Sequence, residues 1–263
     1  MAEETRTARE WAWIIGRRAL LLAGPIVIYL ALLAFFWLVF PPKNGVFSLP
    51  PSPEYLVFIG LMIAYLVPPF GKETIIPAAL LGGEAVVGLV SGFIGVPMDP
   101  AYLTGYPLWT VAVGIIGMDI AVSMFITYNF DLLLKIPLVG SWLRWIMRSA
   151  DAVIRKKTWI EELSSAGLLI FMYIPLQGSG AMTTSVIARL LNYRPLQAVG
   201  LVTFGSVLST LTVAFGVTSL VQLWYVNPIL AIIAGIAIAA GILCLAYFWN
   251  RITRRMIAAR KSP

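Results

Sequence analysis

The chain has 263 residues, of which 60% are hydrophobic and only 12% are charged. A soluble domain this apolar would aggregate, so the bilayer is the expected solvent, and the length allows about five or six crossings without a separate soluble domain. The absence of histidine and the single cysteine, Cys244, exclude a histidine metal cluster, a Cys-His nucleophile pair and a CxxC redox pair.

The net charge of +7 lies at the edges of the apolar segments, in Arg17-Arg18, in Arg155-Lys156-Lys157 and in residues 251–261. This distribution is typical of membrane flanks that contact anionic headgroups, and we expect no nucleic-acid partner. Placing the N-terminus, residues 131–163 and the C-terminus in the cytoplasm puts every strongly basic segment inside. We therefore predict a multi-pass plasma-membrane protein with both termini cytoplasmic.

The first half contains three apolar segments, with an interruption between the second and the third. Leu20–Phe40 predicts a spanning helix that Pro41-Pro42 ends. Tyr55–Val67 is too short to cross alone and meets the polar and proline-rich stretch Pro68–Pro77. Apolar sequence resumes over Ile75–Ile94, so the region reads either as a re-entrant hairpin or as two short tilted crossings.

The middle of the chain begins with a Pro- and Gly-rich loop over Gly95–Pro107. Leu108–Phe130 then predicts a spanning helix with Asp119 near its centre. Asp131–Leu163 is the longest polar region. It reads as an amphipathic helix at the cytoplasmic interface or, with comparable weight, as a solvated linker helix.

The second half repeats the pattern of a short apolar segment followed by an interruption. The predicted elements are an apolar helix over Ala166–Ile174, a break over Pro175–Ser185, a helix over Ala181–Leu191, a turn at Asn192–Pro195, and spanning helices over Leu196–Trp224 and Ile229–Asn250.

Lipid cannot solvate a free backbone, so such breaks survive only inside protein or facing a watery cavity. A pair of them in corresponding halves indicates a transport site. The predicted fold is an all-α integral membrane protein with two oppositely oriented re-entrant hairpins, resembling an inverted repeat. Its single polytopic domain divides into residues 1–54, a first re-entrant half 55–130, a connector 131–163, a second re-entrant half 164–250 and a basic tail 251–263.

Two segments carry a resemblance to a known family. PPFGKETIIPAALLGG and YIPLQGSGAMTTSVIARLL resemble the signatures of the small multi-drug export family, which is similar in turn to the DedA/VTT superfamily of lipid-handling proteins. The resemblance implies facing re-entrant hairpins and proton-coupled movement of amphiphiles. It places Glu73 and Pro77 at the superfamily's acidic residue and proline, and Glu84 near a second acidic position. Met172 and Gly178 stand where DedA proteins have arginines, which argues against strong phosphate recognition.

Four charged residues lie inside apolar sequence, where a charge costs at least about 2.5–3.5 kcal/mol and needs a partner or a function. Glu73 is predicted as the proton acceptor and a site for a cationic headgroup, or as an anchor at the hairpin mouth. Lys72 is equally a site residue or a snorkelling anchor. Asp119 needs a distant partner, either Arg189 or Lys72. Arg189 pairs with Glu73 or Asp119, or else reaches the turn at Asn192.

Uncharged polar groups in the second break complete the predicted site. Gln177, Ser179, Thr183 and Thr184 offer donors and acceptors for substrate, or merely cap the helix that begins near Ala181. We predict that the hairpins are shaped by Pro69, Gly71, Pro77, Pro175, Gly178 and Gly180. Ser206, Ser209, Thr210 and Thr212 are interpreted as hydroxyls that hold packed helices together.

The sequence therefore favours an ion-coupled secondary transporter, with membrane lipids, a small amphiphilic substrate and a proton as partners, and without a cofactor or a metal. A lipid scramblase or a lipid-carrier translocase of the polyprenyl-phosphate type, without obligatory coupling, is the close alternative. An enzyme is disfavoured because no nucleophile-base pair is visible. The sequence is compatible with a homo-oligomer but does not predict one.

Overall fold

The computed structural model describes residues 8–42, 51–66, 70–82, 105–135, 140–141, 164–173, 180–241 and 244. In this part of the chain every extended regular element is a helix, as the sequence predicts. The helices are α1 (Ala8–Val39), α2 (Pro53–Leu66), α3 (Lys72–Leu81), α4 (Leu108–Tyr128), α5 (Phe130–Leu133), α6 (Ser164–Tyr173), α7 (Ala181–Leu190), α8 (Pro195–Val226) and α9 (Pro228–Gly241).

Within the described residues, three helices are long and apolar enough to cross a membrane: the Ala19–Val39 part of α1, α4 and α8. The predicted spans at 20–40, 108–130 and 196–224 are thereby confirmed as candidate crossings. These helices differ in how much of their most apolar stretch is buried inside the protein: 61% for α4 and 11% for α1. α4 is therefore the central helix of its unit, and it packs against α1, α7, α2 and α3.

The first interruption is shorter than predicted. Phe70 and Gly71 are not helical, but α3 begins at Lys72 and continues through Pro77, so the prediction that the break reaches Pro77 is wrong. The amides of Thr74 and Ile75 both donate to the Gly71 carbonyl and start the helix. Burial of Ile75, Ile76 and Ala79 in the core favours the helix over the proline's preference for ending one.

α3 ends at Gly82, whose φ of 65° is the left-handed conformation that glycine adopts without strain. Glu84 and the rest of residues 83–104 lie outside the described residues, as do Pro69, Pro175, Gly178 and most of the 131–163 connector. The described segments leave the re-entrant hairpins, the inverted repeat and the amphipathic connector as predictions.

The second half follows the predicted order. α7 begins after Gly180 and ends at a turn in which Asn192 has a φ of 61°. The Tyr193 amide donates back to the Ala188 carbonyl across that turn. α8 then begins at Pro195, a residue suited to the first helical position, and the Gln197 side chain accepts a hydrogen bond from the Arg194 amide.

The main hydrophobic core joins α1, α2, α3 and α4. Phe36, Phe58 and Tyr106 form an aromatic cluster at one end, with the Phe36 and Phe58 rings 4.5 Å apart. The Tyr106 hydroxyl donates to the Glu54 carbonyl at 2.6 Å, and burial raises the pKa of this tyrosine. The segment entering α4 is thereby fixed to the start of α2.

The chain divides into two compact units, Met1–Ala214 and Phe215–Pro263. In the second unit, the Asn227 side chain caps α9 by accepting hydrogen bonds from the amides of Ile229 and Leu230. Isoleucines along α9 are exposed, as expected of a helix whose surroundings are lipid. The predicted span over 229–250 is described as helical only to Gly241 and at Cys244.

Close packing of α4 on α2 depends on Gly114. A Cβ atom at this position would lie 2.9 Å from Met62 Sδ and 2.9 Å from the Phe58 ring. We expect Gly114→Ala to lower the free energy of unfolding by about 1–3 kcal/mol, because the buried ring must shift. Reversible unfolding in mixed micelles measures the change. Gly200→Ala, with open space around it, is the control; equal stability of the two variants would contradict the packing.

Candidate functional site

A buried ion pair lies where α3 meets α4. Lys72, the first residue of α3, is 7% exposed, and Asp119, in the middle of α4, is 1% exposed. Lys72 Nζ lies 2.8 Å from Asp119 Oδ2. Of the partners predicted for Asp119, Lys72 is confirmed, and the interpretation of Lys72 as a snorkelling anchor is wrong because its ammonium group points into the protein.

Two serines of α8 complete the surroundings of the pair. Lys72 Nζ donates to Ser206 Oγ at 3.2 Å and to Ser209 Oγ at 2.9 Å. The Ser206 hydroxyl in turn donates to Asp119 Oδ2 at 2.5 Å. The Lys72 ammonium group has three protons, and its contacts with Asp119, Ser206 and Ser209 use all of them. The pair therefore links α3, α4 and α8 through charge-assisted hydrogen bonds.

The second oxygen of Asp119 is also occupied. The Tyr65 hydroxyl, near the end of α2, donates to Asp119 Oδ1 at 2.6 Å. Both carboxylate oxygens thus accept hydrogen bonds while the neighbouring ammonium balances the charge. Four helices meet at this carboxylate, and we call Tyr65, Lys72, Asp119, Ser206 and Ser209 the buried network.

Glu73 follows Lys72 in the chain, but one oxygen of its carboxylate lacks the hydrogen-bond donors that Asp119 has among the described residues. Its Oε1 atom is buried, and no described residue donates a hydrogen bond to it. The side chain folds back over Gly71, where a Cβ atom would lie 2.5 Å from Oε1 and 2.7 Å from Oε2. A negative group in the first turn of α3 is favoured by the helix dipole.

With Lys72, Asp119 and Glu73 all ionised, the three side chains carry +1, −1 and −1, which sums to one net negative charge. Such a site can accept a proton or a monocation. The described residues contain no group of three side chains with the chemistry to hold a metal ion.

Residues 92–212 match the model of the family described as putative small multi-drug export protein. The match confirms the resemblance to this family; the second signature lies within the matched segment, whereas the first signature precedes it. Asp119, Ser206 and Ser209 fall inside the matched segment, whereas Tyr65, Lys72 and Glu73 precede it. Comparison with curated proteins and with solved structures finds no significant match. The similarity to DedA/VTT proteins stays a prediction.

Arg189, within the small multi-drug export segment, does not join the site. Its Nη1 atom donates to the Tyr193 carbonyl at 2.9 Å, and its guanidinium lies 5.9 Å from the centre of the Phe130 ring. The alternative in which Arg189 reaches the turn at Asn192 is confirmed, and its predicted pairing with Asp119 or Glu73 is wrong. Its place in the last turn of α7 suits a cation at a helix C-terminus.

Among the predicted hydroxyls of the second break, Thr184 has a described local partner. Thr184 Oγ1 donates to the Gly180 carbonyl four residues earlier, so this bond does not cap a free amide at the start of α7, and the capping role stays a prediction for the other groups. Thr183 is partly buried on α7. Gln177 and Ser179 lie outside the described residues, so their contact with substrate stays a prediction.

The sequence assigned three members of the buried network to other roles or to none. Ser206 and Ser209 were interpreted as packing hydroxyls, yet both contact the ion pair. Tyr65 was not singled out. One sequence signal could have predicted the role of the two serines. Ser206 and Ser209 are three residues apart, so they share one face of α8 and can both donate or accept hydrogen bonds at a buried charge on another helix.

Proposed function

We propose that the protein is a proton-coupled secondary transporter that moves a small amphiphilic molecule across the plasma membrane. The observation that carries the proposal is the buried pair of Lys72 and Asp119, next to Glu73, whose buried Oε1 atom receives no hydrogen bond from a described residue. The family match supports an export role in general. Coupling, substrate class and orientation are our inference.

Energetics favour a functional reason for the pair. Each ion loses several kcal/mol of hydration on burial, and replacing a buried pair by apolar side chains is often neutral or stabilising by about 1–4 kcal/mol. A structural protein would gain nothing from retaining these charges. Ionisable groups inside membrane helices instead mark pathways for ions, protons or substrates.

The pair provides a means of coupling. Protonation of Asp119 removes the charge that holds Lys72 and frees the contact of α3 and α8 with α4. Glu73, next to Lys72 in sequence, is then the carboxylate available to the displaced ammonium or to a cationic substrate headgroup. Two alternative pairings give two arrangements of the helices, as alternating access requires.

The membrane setting follows the predicted topology. We propose that the segments containing α2–α3 and α6–α7 enter from opposite faces as re-entrant hairpins, with both termini in the cytoplasm. Lipids would surround the exposed apolar helices, and the substrate's apolar part would remain near them. This arrangement fits a substrate that has one charged end and one apolar end.

The test is proton movement in liposomes that contain the full chain. A pH-sensitive dye inside the vesicles should report proton flux when a cationic amphiphile such as ethidium is added on one side, and an imposed pH gradient should drive ethidium uptake. Protein-free vesicles are the control. If ethidium moves equally with and without the gradient, or if only fluorescent phospholipid equilibrates between leaflets, coupling is absent and the scramblase alternative is favoured.

A further inference from the structure

A line of buried polar side chains continues from the ion pair along α4. Asp119, Ser123 and Thr127 are four residues apart, so they share one face of the helix. Asp119 and Thr127 are 1% exposed and Ser123 is fully buried. We call these three residues the α4 stripe. The rest of α4 is strongly apolar, so this face is the polar route along the helix.

α7 adds a hydroxyl to the stripe. Ser185, fully buried on α7, donates to Ser123 Oγ at 2.9 Å. Since Ser123 Oγ accepts this bond, its own proton remains available for another acceptor. Thr127 Oγ1 donates to the Ser123 carbonyl at 2.7 Å, so its hydroxyl must turn away from that carbonyl to donate along the stripe.

The spacing suits hydrogen-bond relay. Four residues of α-helix rise about 6 Å, and two hydrogen bonds through one water span about 5.6 Å. The path requires one bridging water between successive positions, and the helical rise leaves the distance for it. A hydroxyl accepts a proton on one lone pair and releases its own to the next oxygen; it then rotates back before it passes the next proton.

The far end of the stripe reaches the end of α4. Asn129 follows Thr127 and is 7% exposed, whereas Asp131 on α5 is exposed. The buried line thus runs from the middle of α4 towards its C-terminal end, near the exposed Asp131. Under the predicted topology this end faces the cytoplasm.

We infer that Ser123, Thr127 and Ser185 form a proton path between the cytoplasmic end of α4 and the Asp119 carboxylate. This inference rests on the proposed proton coupling and adds the residues and the face through which the proton travels. The acidic and basic groups around the end of the path are Lys72, Glu73 and Tyr65, contributed by α3 and α2.

The test compares proton flux with substrate movement that needs no proton. Ser123→Ala and Ser185→Ala remove one buried hydroxyl each with little change of volume. In the liposome assay we expect both to slow substrate-induced proton flux about tenfold or more. Exchange of ethidium between equal concentrations, without a gradient, should stay near the wild-type rate. Thr212→Val, which removes an exposed α8 hydroxyl, is the matched control.

The outcomes separate the path from the coupling. Wild-type proton flux in both serine variants, with flux lost in Asp119→Asn, would overturn the path and leave the coupling intact. Equal loss of proton flux and exchange would assign the hydroxyls to helix packing and also overturn the path. Absence of proton flux in the wild type would overturn the coupling, and the path with it. Ser123→Thr should restore flux by restoring the hydroxyl.

Discussion

Asp119→Asn is expected to lower the free energy of unfolding by about 3–5 kcal/mol, because it leaves the buried Lys72 ammonium without its counter-charge. Asparagine is close to aspartate in size and keeps an acceptor for the Tyr65 hydroxyl, so the loss reports charge and not volume. Reversible unfolding in mixed micelles measures the stability. The liposome assay should show proton-coupled uptake reduced to background in the same variant.

The control is the double variant Asp119→Asn with Lys72→Met. Removing the ammonium as well should recover most of the stability, since no unpaired charge is then buried. Transport should stay lost, because the group that accepts the proton is still missing. Recovery of both stability and coupled uptake in the double variant would contradict a functional role for the pair. Additive losses would show that the two charges do not interact.

Glu73→Gln is expected to reduce transport, as Asp119→Asn does, but without loss of stability. Coupled uptake should fall about tenfold or more, because the carboxylate available to proton or cation is removed. The free energy of unfolding should stay unchanged or rise, since the buried Oε1 has no donor among the described residues and a neutral amide costs less to bury than a charge. Uptake and unfolding are measured as for Asp119→Asn.

A matched control comes from α2, where Glu54 occupies the first turn as Glu73 does in α3. Glu54→Gln should transport at the wild-type rate. Gly71→Ala tests position without altering charge, because its methyl group would displace the Glu73 carboxylate; Gly167→Ala, in open space, is its control. Wild-type uptake by Glu73→Gln would remove Glu73 from the site.

The candidate spans and the burial of Asp119 were predictable because they depend on local composition. Apolar runs of about 20 residues have few alternatives to spanning helices, and a carboxylate amid such a run must find a partner. The start of α7 after Gly180 and the turn at Asn192 follow from glycine, asparagine and proline chemistry within a few residues. These features need no information about the rest of the fold.

The partners in the buried network were not predictable in the same way. Lys72 is 134 residues from Ser206 and 137 from Ser209, and a serine in a spanning helix looks the same in a packing contact as beside a charge. The early start of α3 also depends on distant packing, since Ile75 and Ile76 are fully buried against other helices. Arg189 was misplaced because its nearest acceptor is a backbone carbonyl, which no residue pattern reveals.

The adjacency of Lys72 and Glu73 has a geometric consequence. Consecutive residues leave an α-helix about 100° apart, so Lys72 and Glu73 point in different directions and do not both face Asp119. Rolling α3 about its long axis by roughly this angle exchanges the sign of the charge presented to α4. Rotation of α3 would therefore replace the attraction between Lys72 and Asp119 by repulsion between Glu73 and Asp119 without lengthening the chain.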